Sequence, residues 1–153
     1  MGKKDIELTA YCGLYCLDCI PSDRKLFITA GELQNHLKKC QFEEYARLKS
    51  KTNKLFEDYP RFSEVLQEII NLECVAPCRK GGGKIVCPVR DCAQNKRYEG
   101  CWECNDWKSC ESLTRLKKIH PDLENRFEII PKDGLQNWTT RRRRHYFWQQ
   151  IQN

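Results

Sequence analysis

The sequence predicts a mainly α-helical protein whose middle consists of irregular, metal-stapled cysteine-rich loops, with a small α+β arrangement through short hairpins as the alternative. Two observations predict this class. Apolar residues recur at helical spacing in several segments, and the 11 cysteines fall in short-spaced groups, the longest of which is rich in Gly and Pro. With 153 residues the chain has the length of one ordinary domain, so we expect a single cysteine-rich domain over residues 1–153.

The opening, "MGKKDIELTAY", has no continuous apolar stretch of the kind found in signal peptides. No later segment approaches the roughly 18 apolar residues of a membrane span. The 11 cysteines also suit a reducing compartment, where clustered thiols bind metal or carry out redox chemistry rather than pair as disulfides. We therefore expect a soluble cytoplasmic protein with no membrane partner.

Residues 22–72 separate an N-terminal cysteine triad from a run of seven cysteines, and their pattern predicts a helical segment. The stretch "SDRKLFITAGELQNHLKKC" begins with Ser22 or Asp23 as the candidate N-cap. Its apolar residues lie at roughly helical spacing: Leu26, Phe27, Leu33 and Leu37. The stretch "RFSEVLQEIINL" gives the clearest helix, with Pro60 just before it and apolar positions at Phe62, Val65, Leu66, Ile69 and Ile70.

Residues 74–110 lack a long apolar period, and "APCRKGGGKIVCPVRDC" is typical of loops organised by metal. Helical spacing resumes in "SCESLTRLKKIH" and again in "DGLQNWTTRRRRHYFWQQI". The second of these predicts a basic C-terminal helix over residues 132–153. In such a helix Trp138, Arg142 and Tyr146 share one face, which places the Arg142 stem along the aromatic rings.

Ten cysteines are candidate metal ligands, because short gaps let one turn of backbone present two thiolates to the same ion. They are Cys12, Cys16, Cys19, Cys74, Cys78, Cys87, Cys92, Cys101, Cys104 and Cys110. Four close pairs among them supply eight ligands, which suits two closed zinc sites, with Cys12 and Cys110 as alternatives. One partition places Cys16, Cys19, Cys87 and Cys92 on one ion and Cys74, Cys78, Cys101 and Cys104 on the other.

An iron–sulfur cluster is the alternative cofactor. The octapeptide "CGLYCLDC" has the C-x3-C-x2-C spacing with which radical enzymes hold such a cluster. Those enzymes also need a barrel of alternating strands and helices, and this sequence shows no such pattern. The spacings of bacterial and plant-type ferredoxins are not matched either. The motif therefore favours metal binding in general and not radical chemistry.

The motifs resemble those of a known family. In order along the chain they are "YCGLYCLDC", "FSEVLQEI", "PCRKGGG", "CPVRDCA", "CWECNDWKSC" and "GLQNW". This order is similar to that of the cysteine-rich domain-of-unknown-function family 3795 of bacteria and archaea. The resemblance implies a small intracellular protein that binds metal and has no established activity.

The formal net charge is +6, and the basic surplus lies in the tail. There, aromatics beside arginines in "RRRRHYFW" suit either single-stranded nucleic acid or a solvated, packed helix. No catalytic residues stand out, because closed four-thiolate sites leave a metal no open position. We expect a small cytoplasmic zinc-binding protein with a structural or interaction role. The sequence does not identify its partner; a protein is one candidate, and nucleic acid is a less favoured one. The alternatives are an iron–sulfur or thiol redox protein and a nucleic-acid-binding module that uses the tail.

Overall fold

The computed structural model describes residues 2–83 and 86–149, with side chains from residue 4 onward. Within these ranges the chain forms seven α-helices linked by short 3-10 turns, and no strand. The β structure there is limited to one isolated antiparallel bridge between Thr9 and Tyr15. The prediction of a mainly α-helical protein is confirmed, whereas the short hairpins of the alternative do not occur in the described residues.

The α-helices are numbered in chain order. Their bounds are α1 Gly2–Leu8, α2 Arg24–Lys39, α3 Phe42–Lys49, α4 Tyr59–Asn71, α5 Pro88–Asn95, α6 Glu111–Ile119 and α7 Leu123–Asp133. Helices α2, α4 and α6 fall in segments where the apolar spacing predicted helices. Helix α5 falls inside the stretch that we expected to be loop, with Pro88 at its first position, where a missing backbone N–H removes no hydrogen bond.

The chain divides into two compact units. The cysteine unit comprises residues 1–20 and 74–153, and the helical unit comprises residues 21–73. The sequence predicted one domain over the whole chain, with a helical segment at residues 22–72 that corresponds closely to the helical unit. All ten candidate metal ligands belong to the cysteine unit.

The helical unit consists of α2, α3 and α4. Asp23 is the N-cap of α2, because its Oδ1 accepts hydrogen bonds from the N–H groups of Lys25 (3.2 Å) and Leu26 (3.3 Å). On α4 only part of the predicted apolar stripe is covered: Leu66 is buried, but Phe62 and Val65 are exposed. An aromatic cluster supplements the stripe, in which the Phe42 ring packs against three others, Tyr45, Phe56 and Tyr59.

The core of the cysteine unit is built around α7, whose buried residues include Leu123, Phe127 and Ile130. Trp138 packs against this helix and is fully buried, and its Nε1 donates a hydrogen bond to Thr9 Oγ1 (2.9 Å). The hydrogen bond satisfies the one polar atom of a large buried ring. The N-terminal loop is thereby held against the C-terminal half of the chain.

The prediction of a basic helix over residues 132–153 is wrong for its described part. Helix α7 ends at Asp133, because Gly134 adopts a φ of +76° that L side chains disfavour. A single 3-10 turn, Trp138–Arg141, follows, and the backbone is extended at Arg142. No α-helix follows Asp133 in the described part of the tail, where the buried residues His145 and Tyr146 belong to non-helical chain. Residues 150–153 lie outside the described residues.

None of the helices in the described ranges is long and apolar enough to cross a membrane.

Candidate metal centre

Three of the 3-10 turns begin at a cysteine: Cys16–Asp18, Cys78–Lys80 and Cys101–Glu103. In the first, the N–H of Cys19 donates to the carbonyl of Cys16 (3.1 Å), and in the third the N–H of Cys104 donates to the carbonyl of Cys101 (3.1 Å). The first and third turns therefore each close the two-residue gap of a C-x2-C pair with their own backbone. This local geometry brings the two thiols of a pair close together, as chelation of one ion requires.

Four thiols form a first thiol cluster, defined as Cys16, Cys19, Cys74 and Cys78. The thiols of Cys16 and Cys78 share a hydrogen bond. Cys74 lies near enough to both Cys19 and Cys78 to act on them electrostatically. The cluster thus joins the N-terminal cysteine pair to the pair that follows the helical unit.

Arg79, which directly follows Cys78, anchors this loop to two distant stretches of backbone. Its Nε donates to the carbonyl of Thr9 (2.6 Å), and its Nη2 donates to the carbonyl of Glu99 (2.6 Å). Its guanidinium also lies over the Tyr11 ring, 4.5 Å from the centroid. One arginine next to Cys78 therefore connects three separate stretches of backbone, a role that its place in "RKGGGK" did not indicate.

Glycine is required where the backbone passes the thiols. The N–H of Gly83 donates to Cys74 Sγ (3.2 Å), and Gly83 adopts a φ of +74°. A Cβ at Gly83 would lie 2.9 Å from Cys78 Sγ, and one at Gly82 would overlap the carbonyl oxygen of Ala76. The glycines at these two positions thus permit close packing around the first thiol cluster.

Cys16, Cys19 and Cys78 have shifted pKa values. The hydrogen bond from Cys78 lowers the pKa of Cys16 to about 6, and the same bond raises the pKa of Cys78. Burial raises the pKa of Cys19, although the Tyr146 hydroxyl donates to its sulfur (3.7 Å) and opposes that effect. At neutral pH the cluster therefore offers a thiolate at Cys16 beside thiols whose protons a metal ion would displace.

A second thiol cluster comprises Cys92, Cys101, Cys104 and Cys110. These four residues line one cavity of about 180 Å³. Burial raises the pKa of Cys101 to about 12, and the neighbouring thiols act in the same direction. Lys96 supplies a positive charge at this cavity, with its Nζ 4.0 Å from Cys104 Sγ. The ammonium group brings a positive charge to a cavity lined by sulfur atoms.

Cys12 and Cys87 belong to neither cluster. Both pack against the hydrophobic core, and burial raises the pKa of Cys12 to about 11, with Cys87 contributing. Cys12 lies between the clusters, because it also acts electrostatically on Cys78 and Cys101. Cys12 is therefore a neighbour of both clusters, whereas Cys87 is the thiol set apart from them.

This grouping differs from the partition drawn from spacing. Cys87 is the N-cap of α5 and Cys92 lies five residues further along that helix. At about 100° per residue, five positions turn the side chain by about 500°, so the two thiols point about 140° apart. Helix α5 therefore directs Cys87 and Cys92 away from each other, although their spacing predicted a pair. Cys92 instead lines the same cavity as Cys110.

None of the 11 cysteines forms a disulfide. In the described part of the chain, no group of three or more Cys, His, Asp or Glu side chains is arranged so that it could hold a metal ion. The four side chains of each cluster all end in sulfur, which is the donor atom that thiophilic metals prefer. Binding at either cluster would draw the thiols together as their protons leave.

Fold and site together define a small, α-helical, cysteine-rich protein with two groups of four thiols. Residues 8–115, which include all ten candidate ligands, match the family described as Protein of unknown function (DUF3795), and the chain belongs to that family. The resemblance seen in the cysteine motifs is thereby confirmed. No curated protein and no solved structure matches the chain.

Proposed function

We propose that the protein binds two zinc ions, one at each thiol cluster, and that these ions have a structural role. The observation that carries the proposal is the gathering of eight cysteines, distant in sequence, into two groups of four. The first group would be Cys16, Cys19, Cys74 and Cys78, and the second Cys92, Cys101, Cys104 and Cys110. Zinc bound by four thiolates supplies cross-links to the fold and has no open position for a substrate.

The local structure supports a structural role because the cysteine loops contribute little to the core. Among the described residues of 74–83 and 86–110, the buried apolar side chains are Val89, Ala93 and Trp102. Such a stretch gains little hydrophobic free energy against the entropy cost of ordering it. Metal bound to its thiols would offset that cost.

Charge and compartment are consistent with this proposal. Four thiolates and one zinc ion carry a net charge of about −2, so two sites would reduce the formal charge of +6 to about +2. Lys96 and Arg79 lie beside the two clusters and favour the anionic sites. We also propose a cytoplasmic location, where the 11 unbridged cysteines would remain reduced.

The test is metal content with matched cysteine variants. Protein purified without oxygen should contain two zinc ions per chain and show no visible absorption. Cys78→Ser and Cys104→Ser should each lower the content to about one zinc ion, with folding checked by circular dichroism. Cys40→Ser, in the helical unit, and Cys87→Ser should both retain two.

Three results would contradict the proposal. Stoichiometric iron and sulfide with visible absorption would identify an iron–sulfur protein instead. Absence of bound metal after reconstitution would remove both sites. Loss of zinc from Cys87→Ser equal to that from Cys104→Ser would overturn the assignment of ligands.

A further inference from the structure

The end of the described chain presents two exposed aromatic rings beside basic side chains. Phe147 is 55% exposed and Trp148 is 56% exposed, although large aromatic residues are usually covered in a folded protein. Two arginines, Arg143 and Arg144, immediately precede the buried pair that leads to these rings. We call Arg143, Arg144, Phe147 and Trp148 the aromatic–basic patch.

The backbone of this patch is held in place by hydrogen bonds. Gln149 Oε1 accepts from the N–H groups of His145 (2.7 Å) and Tyr146 (2.9 Å), which closes a tight turn. The N–H of Phe147 donates to the carbonyl of Ile119 at the end of α6 (2.9 Å). The exposed rings therefore stand on a fixed support, and binding through them would cost little ordering entropy.

The rings are also oriented by one another. Trp148 is parallel to the buried Tyr146, with an interplanar angle of 6° and centroids 4.6 Å apart. Phe147 meets Trp148 edge-on, with an interplanar angle of 83° and centroids 4.9 Å apart. The turn thus begins an aromatic stack that a further flat ring could extend.

The four successive arginines divide into two kinds. Arg141 pairs with Asp133 (3.0 Å), and Arg142 pairs with Asp18 (2.7 Å). The backbone N–H of Arg143 donates to Asp122 Oδ2 (2.9 Å), and Arg144 donates to the carbonyl of Phe147 (3.1 Å). Neither guanidinium is paired with a carboxylate among residues 4–83 and 86–149. The positive charge that remains unbalanced therefore lies next to the exposed rings.

We propose that the aromatic–basic patch binds single-stranded nucleic acid. Bases of any sequence would stack on the exposed rings, and the two arginines without acidic partners would neutralise backbone phosphates. An acidic peptide could use the arginines but would leave the rings uncovered. Two rings among cations are also a narrow surface for a lipid bilayer. This inference is independent of the metal proposal.

The test is binding of fluorescein-labelled dT12 and rU12 to the intact protein at about 50 and 200 mM salt. Two neutralised phosphates give a log–log slope of about −1.4, so affinity should fall about sevenfold over this range. Trp148→Ala should weaken binding at least about fivefold, and Trp148→Phe should restore most of the loss. Arg143→Ala should reduce the slope by about 0.7.

Arg141→Ala is the matched control, because that arginine is already paired with Asp133. Its affinity should stay within about twofold of the unmodified protein, as expected for a charge that is already neutralised. The inference is overturned if neither oligonucleotide binds, if Trp148→Ala binds as the unmodified protein does, or if Arg141→Ala and Arg143→Ala lose affinity equally. Binding to vesicles of 70% phosphatidylcholine and 30% phosphatidylserine, or to polyglutamate, without binding to either oligonucleotide would also overturn it.

Discussion

Arg142 connects the tail to the first thiol cluster, and its removal gives the sharpest prediction about stability. Its Nε and Nη2 donate to the two carboxylate oxygens of Asp18 (2.7 and 3.0 Å), and its Nη1 donates to the carbonyl of Thr139 (2.6 Å). The guanidinium lies 4.8 Å from the Tyr15 ring centroid. Asp18 directly precedes Cys19, so the contact also supports the loop that carries a candidate ligand.

The magnitude follows from how buried this contact is. The Asp18 side chain is 19% exposed and the Arg142 side chain 31%, so Arg142→Ala leaves a mostly buried carboxylate without its counter-ion. Removal of one partner from such a pair, together with the lost contact to Tyr15, should lower the free energy of unfolding by about 2 to 4 kcal/mol. For a chain of this size the melting temperature should fall by about 5 to 15 °C.

The assay is thermal and urea unfolding of zinc-loaded protein, with Arg141→Ala as the matched control. Arg141 is 59% exposed and pairs with Asp133, so its loss should cost less than about 1 kcal/mol. Arg142→Lys should fall between the two, because it keeps the charge but not the two-pronged contact. Equal losses for Arg141→Ala and Arg142→Ala would refute the reasoning.

Three further predictions concern pH and metal removal. Burial raises the pKa of Cys101 to about 12, so zinc must displace a proton from this thiol. The apparent zinc affinity should therefore rise about tenfold per pH unit for each proton displaced. A zinc affinity that does not change with pH in chelator competition would contradict this prediction. Burial lowers the pKa of His145 from 6.5 to about 3. The unfolded chain then binds a proton that the folded chain does not, so stability should fall by about 1.4 kcal/mol per pH unit below about 6.5, and His145→Phe should flatten this loss in urea titrations. Chelation should accelerate hydrogen exchange across residues 74–110 but not in α4, because the helical unit has Cys40 as its one cysteine. Unchanged exchange across residues 74–110 after verified metal removal would contradict the structural role of the metal.

Local features were predictable from sequence because they depend on neighbouring residues. Asp23 caps α2 through N–H groups two and three positions ahead, which a sequence pattern can reveal. The C-x2-C pairs likewise close through their own turns. The grouping of the pairs was not predictable, because it depends on long-range contacts such as the hydrogen bond from Arg79 to Thr9.

The tail shows how a local pattern can mislead. Helical spacing placed Arg142 beside Trp138 and Tyr146, yet the backbone leaves helical geometry at Gly134 and again at Arg142. Arg142 does contact an aromatic ring, but the ring belongs to Tyr15. Burial of Trp138 against α7 determines the path of the chain, and no pattern within the tail encodes that contact.

X-ray absorption at the zinc edge of the intact protein tests the central claim most directly, because it reports the atoms bound to the metal. Two ions held by the two thiol clusters predict a first shell of four sulfur atoms at about 2.3 Å for each zinc. Cys78→Ser and Cys104→Ser should each halve the zinc signal and leave the four-sulfur shell of the remaining ion unchanged. A first shell dominated by nitrogen or oxygen, or an absorption edge from iron in place of zinc, would contradict the account.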